Sequence, residues 1–457
     1  MEVNRVVILT LALLCAAVDS ALREAFSWRQ LDFLFPSQEN KQAALASGQF
    51  KPDNNLPVGI ELWEDKVFVT VPRWKSGVPA SLAYFNLNDT PIAPFLTPYP
   101  DWESHNISDG NFKSIATRIV SPFRIRADSC DRLWVLDTGV ADILDESPRA
   151  FYPTTLIVFD LKKNVLLRRY EFPKEHVKDT SFFANIAVDE GATCDDVYAY
   201  SADLGAFGLV VYSWKKNSSW RVQHNFFYAH PMEGEFDVHG NKFQWTDGLF
   251  GLALSKPNRV DGHRTLYFHP FASTSEFQVS TEILHNETRA SSSYHEYHLL
   301  GTRGPNTQSC ASFMDEDSGI IFYTQVNTDS ITCWNSRTRP QYLPQTIGLV
   351  DKNNVTLIFP NDVKVDRKRN LWVLTDRLPM FMFGKLDPND VNFRILTAPV
   401  DDATKDTICS SNYNGPEPKI EDRFGAEDLP LCRNGADIAT WSMFSMTLLL
   451  LVLAVQQ

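Results

Sequence analysis

Short runs of apolar residues alternate with polar ones through the interior of the chain, and Gly, Pro, Asn and Asp punctuate them every few residues. A period of two broken by frequent turn residues predicts short β-strands rather than long helices. One unit recurs: an apolar strand, a polar turn, then a second strand centred on an aromatic residue. It spans 59–70 about Phe68, 123–137 about Trp134, 185–200 about Tyr198, 248–268 about Tyr267, 311–323 about Phe322 and 362–374 about Trp372. The centres lie 66, 64, 69, 55 and 50 residues apart, and each interval has room for two further strands, such as 154–159 and 209–214. Six such units of four antiparallel strands are expected to close on themselves as an all-β, six-bladed β-propeller, which avoids open sheet edges. The alternative is a pair of β-sandwiches whose units resemble each other by accident.

Both ends of the chain read as targeting signals. Residues 1–20 carry one basic residue, Arg5, followed by an apolar run over 6–18. Val18 and Ser20 suit the −3 and −1 positions of a signal-peptidase site, with Ala21 as the first mature residue. Sequons at Asn88, Asn106, Asn217, Asn286 and Asn354 agree with a secreted glycoprotein, the one at Asn88 being weakened by Pro91. At the other end, 441–455 is apolar but shorter than the about 20 residues a spanning helix needs, and no basic anchor flanks it. Asn434, Gly435 and Ala436 suit the attachment site of a GPI signal, although the spacer over 437–440 is short. The expected organisation is a signal peptide over 1–20, a propeller over 21–432 and a hydrophobic tail over 433–457. The product would be extracellular, held at the outer cell surface by a GPI anchor at Asn434; a spanning tail and free secretion are the alternatives.

Cys15 leaves with the signal, so six of the seven cysteines remain, an even number that implies disulfides in an oxidising compartment. Cys130 and Cys194 stand at neighbouring positions of the second and third units, and a bond between them would tie adjacent blades. Cys310, Cys333, Cys409 and Cys432 stay unassigned. No Cys-x-x-Cys occurs, which argues against zinc.

Charge narrows the partners. Lys and Arg number 43 against 56 Asp and Glu, a net charge of −13 with no basic run, which excludes nucleic acid as a partner. The same charge argues against spontaneous binding to anionic lipid, so membrane attachment would rest on the tail alone.

Several strings resemble the yellow and major royal jelly protein family of insects. They include Trp28-Arg-Gln-Leu-Asp-Phe, Pro57-Val-Gly-Ile, Val67-Phe-Val-Thr-Val-Pro-Arg-Trp, Arg132-Leu-Trp-Val-Leu-Asp-Thr-Gly, Phe243-Gln-Trp-Thr-Asp-Gly-Leu-Phe-Gly and Tyr267-Phe-His-Pro-Phe-Ala-Ser-Thr-Ser-Glu-Phe. The likeness runs from about residue 22 to Cys409 and implies a secreted six-bladed propeller. Members of that family act in cuticle and eggshell melanisation; some convert dopachrome, some bind biogenic amines and others serve as food proteins. The resemblance therefore implies a role in pigmentation, with a dopa-derived indole or catecholamine bound or tautomerised. A non-catalytic amine-binding or extracellular structural protein is the alternative, and enzyme status stays open.

Residues at the start of each innermost strand converge on the propeller axis. Here they are Arg124, Asn185, Thr246, Asp247, Gln308, Ser309, Asn361 and Asp362. Such polar groups suggest a ligand site, or else they bond backbone at strand ends. Phe182, Phe183, Trp245, Phe250 and Phe359 adjoin them, and an aromatic wall with one carboxylate, Asp247, suits a small aromatic amine. Tautomerisation needs a base near the working pH, usually His, or a desolvated carboxylate; His230, His239 and His269 are the candidates. No cofactor or metal is expected. A further alternative is a calcium-dependent lactonase-like hydrolase, whose propellers have similar segments at 185–189 and 360–366. Asn185, Asp247 and Asn361 would then hold the ion, with Glu61 one strand position too deep to join them.

Overall fold

A computed structural model of the chain describes residues 20–89, 92–107 and 116–416. Cys15 with the signal segment, Cys432, Asn434 and the hydrophobic tail lie outside the described residues. Six four-stranded antiparallel sheets form the body of the fold. Their first strands are Gly59–Trp63, Pro122–Ala127, Phe183–Glu190, Leu249–Leu254, Ser309–Asp315 and Pro360–Val365. Each lies beside the next and the last lies beside the first, so the sheets radiate as blades 1 to 6 from a closed ring. The fold is a six-bladed β-propeller, and its compact unit ends at Gly415.

The six aromatic centres all fall on the second strand of a blade. Their recurrence has a local cause in blades 2 and 6. The turn aspartates Asp128 and Asp366 accept the indole N–H of Trp134 and Trp372 at 2.7 and 2.9 Å. The same carboxylates take the backbone N–H of Arg132 and Asn370 at 2.9 and 2.8 Å. One Asp thus shapes the turn and fixes the ring that packs between blades.

The ring closes as expected, but by a strand that the repeats do not contain. The outer strand of blade 6 comes from the other end of the chain: Arg23–Trp28 pairs antiparallel with Phe393–Pro399. Trp28 then donates its indole N–H to the Pro94 carbonyl at 3.0 Å, tying this seam to the loop of blade 1.

Cys130 and Cys194 are bonded, joining blades 2 and 3. Cys333 and Cys409 form a second disulfide between blade 5 and the segment that follows blade 6. Cys310 is free and buried. Replacing both Cys130 and Cys194 by Ser opens a loop of 64 residues. Chain entropy sets the expected loss at about 4 kcal/mol, checked as a lowered denaturant midpoint. The five sequon asparagines are all exposed.

Candidate functional site

Five of the six inner strands carry one extra residue near their axial start. The register slips between Pro122 and Ile125, Phe183 and Asn185, Leu249 and Gly251, Ser309 and Ser312, and Pro360 and Asp362. A bulge re-aims the side chain it carries. Phe123, Ala184, Phe250, Cys310 and Asn361, each within one of these bulges, all line a single cavity on the propeller axis. Blade 1 pairs without a slip, and Trp74, just beyond its second strand, completes the wall.

The cavity holds about 210 Å³ and is walled largely by aromatic rings. Phe123 packs against Trp74, Phe182 and Phe250 at centroid distances of 5.4, 5.5 and 5.8 Å. Phe271 links Phe250 to Trp245 at 5.7 Å on either side. Phe359, Ile143, Leu144, Leu378 and Met382 add to the wall. Asp247 is the single charged residue among the lining residues. Its backbone is fixed from two blades: its carbonyl accepts from Ala272 at 3.0 Å, and the next N–H, of Gly248, donates to Leu204 at 3.0 Å. No donor among the described residues reaches its carboxylate, and burial alone pushes the carboxyl up to about 6. The cavity therefore offers an aromatic box with one unpaired carboxylate, a setting that favours a flat cation.

Beneath it the polar groups are committed to one another. Arg124 is fully buried; it donates to the carbonyls of Val58 and Asn361, the latter at 2.6 Å, and to Asn361 Oδ1 at 2.8 Å. Its Nε lies 3.6 Å from Asp362, which also accepts from Lys364 Nζ and the Ile60 N–H at 2.8 and 2.9 Å. The Asn361 amide in turn donates to Asp376, a carboxyl that burial pushes up to about 8. Asn361 reaches the cavity wall with both ends of its amide engaged.

The sequence candidates separate accordingly. Trp245, Asp247, Phe250, Phe359, Phe182 and Asn361 meet at the cavity. Arg124 and Asp362 do not line it; they form the buried staple. Asn185 faces the other end of the channel, where its amide donates to the Phe250 carbonyl at 2.8 Å. Gln308 donates to the Glu233 backbone carbonyl at 2.9 Å and so anchors the hairpin of Glu235–Val238 and Asn241–Gln244 that precedes Trp245. Ser309 bonds the Ala311 carbonyl at 3.0 Å, and Thr246 is exposed. Phe183 stacks on Phe172 at 5.4 Å, outside the cavity. Trp74, Phe123, Phe271 and Cys310 are the residues that sequence reasoning missed. The bulges explain most of these shifts, since one extra residue reverses which neighbour faces the axis.

None of the three histidines reaches the cavity. His269 is fully buried between blades, with Nδ1 2.9 Å from Glu276; burial lowers its pKa, and a Cβ on Gly251 would fall 2.1 Å from its ring. His239 sits at the hairpin tip 2.9 Å from Asp329, and His230 is exposed, its Nδ1 accepting from the Met232 N–H at 3.3 Å. The one titratable carboxylate positioned for proton transfer in the cavity is Asp247.

The lactonase-type ligand set is also dispersed. Asp247 and Asn361 face the aromatic cavity, whereas Asn185 faces the opposite end. Glu61 pairs with Arg126 at 3.1 Å, and Lys364 and Arg124 neutralise Asp362. Basic side chains thus neutralise Glu61 and Asp362, the other acidic groups of the channel. Among the described residues no three His, Cys, Asp or Glu side chains gather into a metal-holding group, and no helix is long and apolar enough to cross a membrane.

Comparison with known proteins gives the lineage. Residues 120–409 match the family model described as major royal jelly protein. Protein yellow of Drosophila yakuba is 46% identical over 396 residues, covering 86% of this chain and 71% of the relative. Protein yellow of Drosophila melanogaster is likewise 46% identical over the same shares. Among solved structures, virginiamycin B lyase from Staphylococcus aureus is 12% identical with a TM-score of 0.39, covering 76% of this chain and 96% of its own, a likeness too slight to bear on chemistry. Family match and identity over most of the length agree: the chain belongs to the yellow and major royal jelly protein family.

Proposed function

We propose that this protein is a secreted member of the insect pigmentation system that binds a catecholamine or a related aromatic amine in its axial cavity. The observation that carries the reading is Asp247, a carboxylate without a hydrogen-bond donor inside an aromatic wall. A charge-assisted bond to an ammonium, with the ring held by Phe123, Trp245 and Phe250, satisfies that carboxylate. Two disulfides support an oxidising, extracellular setting. Family membership supports the link to pigmentation.

A second reading, conversion of dopachrome by tautomerisation, draws support from the same residue. A carboxyl pushed up to about 6 can take a proton from a ring carbon and return it elsewhere near neutral pH. Against it, the substrate's own carboxylate finds no cation among the lining residues. Calorimetric titration with dopamine, serotonin and dopa separates the readings, with dopachrome decay followed in the same preparation. The amines are expected to bind, and dopa roughly tenfold more weakly because its carboxylate meets Asp247 in a low-dielectric wall. Equal affinity for dopa and dopamine would remove Asp247 as the anchor, and accelerated decay would make the protein a tautomerase.

A further inference from the structure

We propose that Cys310 is a covalent acceptor for the o-quinone of the amine that the axial cavity binds, a capture that rests on the amine-binding reading. The bulge between Ser309 and Ser312 turns this residue out of the ladder and into the cavity wall that also carries Asp247, Phe250 and Phe359. Among the described residues it has no disulfide partner; its thiol is directed at the Pro360 and Asn361 carbonyls at 3.3 and 3.2 Å. A catecholamine whose ammonium is held by Asp247 keeps its ring inside a space of about 210 Å³ that Cys310 helps to line.

The chemistry is balanced without an outside reagent. An o-quinone is a catechol lacking two electrons and two protons, and its ring carbons accept soft nucleophiles. The Sγ–H bond breaks and an Sγ–C bond forms at the ring. The electron pair moves onto a quinone carbonyl, and the proton lost by sulfur and the proton lost by the attacked carbon end on the two oxygens, regenerating a catechol joined to the protein. The quinone is itself the oxidant, so a two-electron catechol oxidation upstream must supply it.

Confinement is what makes the reaction selective. Burial pushes the Cys310 thiol up to about 12, so it is protonated at neutral pH and slow toward reagents that must diffuse in. A quinone seated beside it gains the advantage of a reaction between two groups already in place. Capture would remove a reactive product from solution, and the occupied cavity would no longer take up free amine.

The test uses the secreted protein with its disulfides intact, dopamine oxidised in solution with periodate, and peptide mapping by mass spectrometry. One catechol adduct on the peptide carrying Cys310 is expected. Excess tyramine, which fills the amine site without forming a quinone under these conditions, should slow labelling by about tenfold or more. Iodoacetamide should leave Cys310 unmodified in the folded protein, and Cys310→Ser should lack the adduct. Calorimetry of the untreated protein with dopamine separates the two claims. Amine binding without an adduct on Cys310 overturns the capture alone, as does an adduct indifferent to tyramine or confined to Cys432. Absence of amine binding overturns the reading on which the capture rests. Should Cys310→Ser fail to fold, the peptide map and the competition on the unaltered protein decide the matter.

Discussion

Asp247→Asn is expected to weaken amine binding by about 2 kcal/mol, roughly a 30-fold rise in Kd, and at the same time to stabilise the fold at neutral pH. The first effect follows from losing a charge-assisted bond inside an aromatic wall. The second follows from the present cost of the carboxylate. Its pKa stands at about 6 against an ordinary 3.8, with burial as the cause. Ionised Asp247 is therefore disfavoured in the folded protein relative to the unfolded chain, by about 1–3 kcal/mol at pH 7 once the opening of the cavity to water is allowed for. That cost is fully present above pH 6, shrinks as pH falls from 6 toward 3.8, and is absent below it, where both states are protonated. The Asn variant should thus melt above the parent at pH 7 and level with it near pH 4. Amine affinity of the parent should fall about tenfold for each pH unit below 6, and the variant should lack that dependence. Thermal unfolding at pH 4 and 7.5 and calorimetric titration at pH 5 and 7.5 check both arms. A variant less stable than the parent at pH 7 would make Asp247 a structural carboxylate.

A group that costs stability and is kept in place marks a site more surely than its polarity does. Polarity alone misled at several positions. Arg124, Asn185, Gln308 and Asp362 are as polar as Asp247, yet each is spent on backbone groups or on a buried ion pair. The blades were legible because Asp128 and Asp366 repeat the same turn beneath Trp134 and Trp372, a device written in residue types at fixed spacing. The link between Cys130 and Cys194 was legible for the same reason. The cavity wall was less so. A bulge is one extra residue in a ladder, and alternation of apolar and polar residues cannot reveal where the ladder slips. Thus Phe123 stood unnoticed beside Arg124, and Cys310 beside Ser309. The outer strand Arg23–Trp28 escaped because its partner lies at the far end of the sequence, and no local pattern encodes that pairing.

Arg124→Met is expected to destabilise the propeller by about 3–5 kcal/mol without abolishing the response of amine binding to pH. Arg124 crosses the ring between blades, reaching Val58 of blade 1 and Asn361 and Asp362 of blade 6. Gly59 makes the room for it: a Cβ there would fall 2.8 Å from the Phe123 carbonyl and 3.3 Å from Arg124 Cδ. Methionine can fill much of the volume under Phe123 and Phe250, over whose rings the guanidinium now lies at 4.8 and 5.5 Å. It cannot donate, so the Val58 and Asn361 carbonyls each lose the guanidinium, the latter keeping only the Cys310 thiol, and Asp362 keeps only Lys364 as a cation. The deficit should appear as a lower denaturant midpoint, because the groups left unpaired belong to the ring itself. Asp247 lies in the aromatic wall above, and its titration near pH 6 depends on burial rather than on Arg124. Normal unfolding combined with lost amine affinity would reassign Arg124 to the ligand. Lost stability with a pH-dependent residual affinity would instead establish two separate layers on one axis, a charged staple that closes the ring and an aromatic box that the bulges turn toward the ligand.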